Sequence, residues 1–519
     1  MSPLKICAGF AAIGILLGSM AGLSVSAEEE KTFTDEMLTY TKISDGVSIT
    51  ACKVSTTSLS LPDNIDGYPI LEVGEGAFAE CAGLTTVDFS KTKIRSIGNN
   101  AFTGCEKLQT LKLPDTLQTI GSGAFYNCAS LTELSIPDSV SEIGSYAFAY
   151  CFALDKVKLP TKLTTLLGAT FYYDYELSEV TLPKSLETLS ALTFVGCYDL
   201  QSVTLPASLK TIEPLAFLGC IGINEFTVDA NNTAFSVGED GALYNKDGSN
   251  LLIYPSGNGV KECTIADTVT EIAPYAFAGS LSLETVTMPQ TLQGVLPEGC
   301  FSDCYSLHKV NCLPENLSEI SGSLFAGCNA LENLTLPENC TAIGNYGFYE
   351  CAALTEFTIP ESVKSIGDCA FCGCENLTTM TIPVGTTLGS YAVGFSTPAE
   401  DAEDSTPVLR KDFVLHGNSK SDAKRFAKAN GVSFKQDDFN FRLLFLIIGI
   451  TAAVLFVILT IVDIVRKKKS APEQPAESQS DESFVDPSYQ SILAEDDEDM
   501  TDVEENSTES ENSEESESR

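Results

Sequence analysis

The chain has 519 residues, beyond the roughly 250–300 at which one hydrophobic core stops growing, so length alone implies two or three domains or a repeat array. Against 31 Lys plus Arg stand 71 Asp plus Glu, a net charge of −40, which excludes nucleic acid as a partner because a polyanion must be neutralised by basic side chains. Hydrophobic residues reach 44%, enough for a packed interior, but two His and no Trp leave little for acid–base catalysis.

In chain order, Lys5 precedes an apolar run from Ile6 to Leu17, and Val25-Ser26-Ala27 puts small residues just before Glu28-Glu29-Glu30. Residues 1–27 therefore read as a signal peptide, followed by an N-terminal segment over 28–59. From residue 60 the chain repeats. Pro114, Pro137, Pro160, Pro183 and Pro206 are 23 residues apart, and Pro314, Pro337, Pro360 and Pro383 resume the same step. Fixed-period self-similarity is the signature of a solenoid. In one unit, Leu134 and Ile136 alternate as in a strand with one buried face, and Pro137 stops it by removing a ladder donor. Val140 and Ile143 turn inward from a second extended piece, Gly144 permits a corner, and Ala147-Phe148 enter the interior on a tight or short helical turn. One coil cannot bury these groups, but stacked coils make the apolar rows continuous. About 13 coils at the spacing of adjacent strands give a rod or arc of roughly 60 Å.

The solenoid spans 60–395, with an insertion near 226–262 whose Asp240-Gly241 and Asp247-Gly248 predict hairpin turns. A calcium loop from Asp240, Asp247 and Asn250 is the weaker reading of the same residues. Residues 396–412, with Glu400, Asp401, Glu403 and Asp404, read as a flexible acidic linker, and 413–436 as a C-terminal capping segment in which Ser419 or Ser421 caps a short helix ended by Gly431. Leu443 to Val462 is a 20-residue run without a charge, long enough for a transmembrane helix. Arg466, Lys467, Lys468 and Lys469 follow it, which places the C-terminus in the cytoplasm. No Leu-Pro-x-Thr-Gly precedes the run, so a cell-wall sorting tail does not fit. Residues 470–519 carry 18 acids and one base and read as a disordered cytoplasmic tail with an apolar island from Phe484 to Leu493. The charge divides accordingly, −28 on residues 28–440 and −17 on the tail.

The repeated Ile-Gly-x-x-Ala-Phe-x-x-Cys, clear at Ile97 to Cys105, Ile120 to Cys128 and Ile143 to Cys151, resembles the BspA-type leucine-rich repeat family, as does the opening Leu61 to Ile70. The likeness covers residues 40 to 435. It implies a right-handed leucine-rich repeat solenoid of short β-strands, and a role in adhesion or binding of host components, with ligands that vary across the family.

Ten cysteines share one repeat position: Cys81, Cys105, Cys128, Cys151, Cys197, Cys220, Cys304, Cys328, Cys351 and Cys374, with Asp174 and Ser280 there in two other coils. Stacked in register they stand about 4.8 Å apart, too far for the roughly 3.8 Å between the Cβ atoms of a disulfide, so they are expected as a structural ladder of free thiols acting as small hydrophobes. Cys369, Cys372 and Cys374 lack a nearby His, and no metal or cofactor is expected. His308 and His416 adjoin no nucleophile or metal motif and no carboxylate pair stands out, so no catalytic residue is assigned and the protein is read as a non-enzyme. Outward strand positions hold Thr181, Thr204, Thr227, Thr287, Thr335, Thr358 and Thr381, for which β-propensity is account enough. Tyr126, Tyr146, Tyr150, Tyr172, Tyr173 and Tyr175 crowd consecutive coils and form the candidate ligand-binding patch, because Tyr supplies large amphipathic area at low entropy cost. The expectation is a single-pass plasma-membrane protein, N-terminus outside, whose ectodomain binds an extracellular protein or glycan. The alternative is a receptor or scaffold that couples the ectodomain to a cytoplasmic partner of the tail.

Overall fold

The computed structural model describes residues 32–34, 38–52, 57–292, 294–399 and 405–436. The expected signal peptide (1–27), transmembrane helix (443–462), basic cluster (Arg466 to Lys469) and tail (470–519) lie outside the described residues. Among the described residues no helix is long and apolar enough to cross a membrane.

Each coil contributes to three rows. The Leu-x-Leu segment forms a three-residue strand, and Glu133–Ser135, Lys156–Lys158 and Glu179–Thr181 pair in parallel with Leu134 against Val157 and Val157 against Val180. Their middle residues are buried and their flanks exposed, the one-faced alternation that the sequence carries. The Val-x-x-Ile segment supplies a second, two-residue parallel ladder, as at Ser96–Ile97, Thr119–Ile120 and Glu142–Ile143. Between them the proline carbonyl accepts the N–H three residues on, Val140 to Pro137 at 3.0 Å and Leu209 to Pro206 at 3.1 Å, which turns the corner between the two strands. The Ala-Phe turn makes the third row, each Phe N–H donating to the next coil, as from Phe102 to the Ala124 carbonyl at 2.7 Å.

Inside that row the phenylalanine rings form a column. Phe78, Phe102, Phe125, Phe148, Phe171, Phe194 and Phe217 stack face to face at centroid separations of 4.6 to 5.8 Å. A second column runs through Tyr254, Phe277, Phe301, Phe325, Phe348 and Phe371. Two buried cores correspond to the two columns, one extending to Leu243 and the other starting at Ala242.

They meet at the insertion, where Phe235–Val237, Leu243–Asn245 and Asn250–Ile253 form an antiparallel meander and the last of these pairs in parallel with Glu271–Ile272. Gly241 and Gly248 both have a φ of 76°, as such tight turns require. The carboxylates of Asp240 and Asp247 accept N–H bonds from Ala242 and Ser249, and Asp240 also accepts the Tyr244 hydroxyl at 2.7 Å. These bonds engage both carboxylate oxygens of Asp240 and Oδ1 of Asp247 within the turns themselves, while Oδ1 of Asn250 has no partner among the described residues.

Gly144 corrects the sequence reading. It has no positive φ; instead, a Cβ there would lie 2.4 Å from the Ser122 nitrogen of the preceding coil, so glycine serves close approach rather than a corner. At the N-terminus, Leu38–Ile43 and Gly46–Cys52 form a hairpin that covers the second ladder through parallel pairing with Tyr68–Val73.

At the C-terminus, Val414–Gly417 and Ser433–Gln436 flank the helix Asp422–Asn430 and extend the strand ladder. Gly431 ends the helix at a φ of 75°, whereas Ser421, at the N-cap, makes no side-chain capping bond, and its hydroxyl donates to the Asn418 carbonyl at 2.6 Å. The described end of the expected linker is folded. Val408–Leu409 pairs with Phe395–Ser396, and the buried Arg410 donates to the carbonyls of Cys374, Glu375 and Leu377 at 2.6 to 3.0 Å and to Asp412 at 2.6 Å. One guanidinium with five donors holds this stretch against the last coil.

Candidate binding surface

The tyrosines singled out by sequence come together beside the first ring column. Tyr150 stacks on Tyr173 at 5.6 Å and meets Tyr126 and Tyr172 edge to face, while Tyr146 meets Tyr172 at 6.2 Å. Tyr172 contacts Tyr173, and Tyr173 contacts Tyr175. Tyr146 is exposed, and Tyr126, Tyr150, Tyr172 and Tyr175 are half-buried. Tyr173 departs from the expectation: it is only 6% exposed, its ring lies over Gly196 of the next coil, and its buried hydroxyl has no hydrogen-bond partner among the described residues. It supports the patch from beneath and presents nothing to a ligand.

Two members were missed. Phe152, Tyr175 and Tyr198 stack in sequence at 5.0 and 4.9 Å, nearly parallel, and Phe152 also meets Tyr150. The signal was present, since all three follow the ladder position by one residue and stand 23 apart. The result is a continuous aromatic ridge from Tyr126 to Tyr198.

The backbone adds a second observation. Tyr146, Tyr150 and Tyr173 have φ values of 59°, 62° and 61°. In other coils the residue before the ladder position is Gly104, Gly196, Gly219, Gly279, Gly327 or Gly373, or the non-glycines Glu80, Asn127, Asp303 and Glu350, all with positive φ. A side chain in that region costs roughly 1–2 kcal/mol, which the ridge bears at three positions. Burial pushes the Tyr126 hydroxyl above its ordinary pKa, with the nearby Tyr146 adding to the effect. The Tyr126 hydroxyl therefore stays a neutral donor at physiological pH.

The ten ladder cysteines are buried free thiols. They are not merely small hydrophobes. The Cys105 thiol donates to the Phe78 carbonyl at 3.2 Å, Cys128 to Phe102 at 3.4 Å, and Cys197, Cys220, Cys304, Cys328, Cys351 and Cys374 repeat the bond with Phe171, Phe194, Phe277, Phe301, Phe325 and Phe348. Cys151 does the same with Phe125, while Cys81, in the first coil, lies against Cys52. Burial drives the thiol of Cys105 up to about 12 and that of Cys81 up to about 11, so they stay protonated.

Asp174 interrupts the ladder. One of its oxygens accepts the Cys151 N–H at 2.8 Å, the other has no partner among the described residues, and burial holds the carboxyl well above the usual range. The Ser280 hydroxyl at the equivalent position is also without a partner among the described residues.

Away from the ridge, Thr181, Thr204, Thr227, Thr335, Thr358 and Thr381 are exposed and Thr287 is half-buried. A groove of about 430 Å³ lined by His308, Lys309, Cys312, Glu332, Asn333 and Thr335 opens on the strand side. Among the described residues no group of three His, Cys, Asp or Glu is placed to hold a metal ion. The basic residues Arg466, Lys467, Lys468 and Lys469 lie outside the described residues.

Comparison with known proteins agrees with this geometry. The family described as BspA type leucine rich repeat region matches residues 71–198, 165–246 and 255–378, in six copies. Among solved structures, a leucine rich cell surface protein from Faecalibacterium prausnitzii is 22% identical, with a TM-score of 0.55 over 72% of this chain and 97% of that one. The pneumococcal vaccine antigen PcpA is 19% identical, with a TM-score of 0.52 over 79% of this chain and 99% of that one. No curated protein matches the chain. With its stacked Phe column, thiol ladder and paired strand rows accounted for by one repeating unit that matches over more than half its length, the chain belongs to the BspA-type leucine-rich repeat family.

Proposed function

We propose that this is a cell-surface binding protein, held by one membrane span with the solenoid outside, whose aromatic ridge docks a protein or glycan and which performs no catalysis. The observation that carries the reading is the ridge itself. Rings from consecutive coils touch one another from Tyr126 to Tyr198, and two of the exposed or half-exposed ones, Tyr146 and Tyr150, stand at strained backbone positions. Stacked rings that carry hydroxyls suit both sugar faces and the apolar core of a protein interface. The cell-surface description of the Faecalibacterium relative supports the same placement.

The test is a binding screen of residues 28–440 against glycans and extracellular-matrix proteins, repeated with Tyr146→Ser, Tyr172→Ser and Tyr175→Ser combined. Loss of about tenfold or more in affinity, corresponding to about 1.4 kcal/mol, is expected with an unchanged circular dichroism spectrum. Unchanged affinity for every ligand found removes the ridge as the docking site.

A further inference from the structure

Two cysteines stand outside the thiol ladder in one late coil. Cys369 opens the Ala-Phe turn and Cys372 closes it, the Cys372 N–H donating to the Cys369 carbonyl at 3.2 Å. The first and fourth Cα atoms of such a turn lie within about 7 Å, close to the roughly 4.4–6.8 Å that a disulfide spans. The side chains converge as well. The side chains of Cys372 and Tyr346 both lie beside the Cys369 sulfur. These contacts hold Cys369 below the ordinary thiol range, the one with Cys372 contributing most, whereas Cys372 is raised by the same contact and by burial.

The third nearby cysteine does not compete, because the Cys374 thiol donates to the Phe348 carbonyl at 3.1 Å as a ladder member. Access is ordered too. Cys369 is 8% exposed and Cys372 fully buried, so a small molecule meets the Cys369 sulfur first. The turn is anchored independently of either sulfur, by Cys369 N–H to Ser390 and Phe371 N–H to Ala392, each at 2.9 Å.

We propose that Cys369 and Cys372 form a dithiol site that a small-molecule disulfide oxidises to an intrachain disulfide. The Cys369 thiolate attacks one sulfur of R–S–S–R, forming a mixed disulfide and expelling one thiolate. Cys372, giving up its proton, attacks the Cys369 sulfur and expels the second. The two cysteine protons end on the two released R–SH molecules, and two electrons pass from the protein to the small disulfide. Cys369 is the attacking group and Cys372 the resolving one.

The experiment uses the full chain in detergent with Cys312→Ser, which removes the thiol exposed among the described residues. It is incubated folded with excess cystamine, unfolded, alkylated with iodoacetamide and cleaved with trypsin. The peptide from Ser365 to Arg410 carries Cys369, Cys372 and Cys374 and no other cysteine. The expected product is lighter by about 2 Da than the same peptide with three free thiols once the alkyl groups are accounted for, and fragment ions place its one alkyl group on Cys374. Cys369→Ser and Cys372→Ser each abolish the product, and Cys374→Ser keeps it. Three alkyl groups on this peptide, a disulfide that includes Cys374, or a persistent mixed disulfide on Cys369 each overturn the proposal. The unsubstituted dithiol gives this readout by itself, so a misfolded Ser variant does not shield the idea.

Discussion

Asp174 is the residue at which the solenoid departs most sharply from its own rule. Where nine coils place a thiol that donates to a Phe carbonyl, this coil buries a carboxyl with one oxygen unpartnered among the described residues. Its pKa is raised by burial, so the folded state prefers the neutral acid. A carboxyl raised on folding contributes its full stability below the unfolded pKa near 3.9, and stability falls as pH rises from there towards the folded value. Asp174→Cys restores the repeating thiol and is expected to stabilise the protein at pH 7 by about 1–3 kcal/mol, the cost of an unsatisfied buried polar group. The gain is expected to be larger at pH 8 than at pH 4. Urea unfolding at the two pH values, in reducing buffer, checks both the sign and the trend; equal gains at both would contradict the buried-acid account.

At the scale of the coil, much was legible because the features are local. Prolines at a 23-residue step, the inward pair at Leu134 and Ile136 and the Ala147-Phe148 turn each announce themselves within a few residues, and the strands and turns fall on them. What stayed hidden depends on contact between coils. Gly144 reads alone as a corner and only the Ser122 backbone behind it explains its size. Hydroxyls two residues after the proline, at Thr116, Ser185, Ser208, Thr291 and Ser362, donate to a carbonyl of the previous coil at 2.6 to 2.8 Å, yet Ser and Thr at an exposed turn look ordinary. Burial of Tyr173 had the same origin, since only the glycine of the next coil makes room for its ring.

The thiol row is the element whose chemistry most differs from its appearance. Because the ladder thiols are buried and nine of them donate to carbonyls, alkylation of the folded chain at pH 8 is expected to label Cys312, the exposed cysteine among the described residues, well before any of the ten. Labelling of the ladder should then track urea unfolding coil by coil. Rapid labelling of Cys105 or Cys128 in the folded protein would mean that these coils open far more often than their packing implies.

For the molecule as a whole, stability is nearly a sum over neighbouring coils, so the ends govern where unfolding begins. Arg410 closes the last coil by satisfying three carbonyls and holding Asp412, whose carboxyl it keeps below the usual range. Arg410→Ala is expected to destabilise the C-terminal coils by about 1.5–3 kcal/mol, the range for losing hydrogen bonds to a buried charged group, since the exposed Asp412 is not left as a buried charge. Amide exchange should rise over residues 365–382 and stay unchanged over 96–143. Arg410→Lys is expected to rescue little, since an ammonium lacks the fork that reaches several carbonyls at once. Uniform acceleration along the chain would show that the coils act as one unit.

The column of rings restarts at Tyr254, and a column that restarts has ends of its own. Packing before the insertion places no demand on the count of coils after it, nor the reverse. Whole 23-residue units could be gained or lost on either side while both terminal caps and the ridge keep their local contacts. The reach between the aromatic ridge and the Arg410 closure is then a matter of number, adjustable in increments of about 4.8 Å, so that the length of the solenoid can change while the surface of the ridge stays as it is.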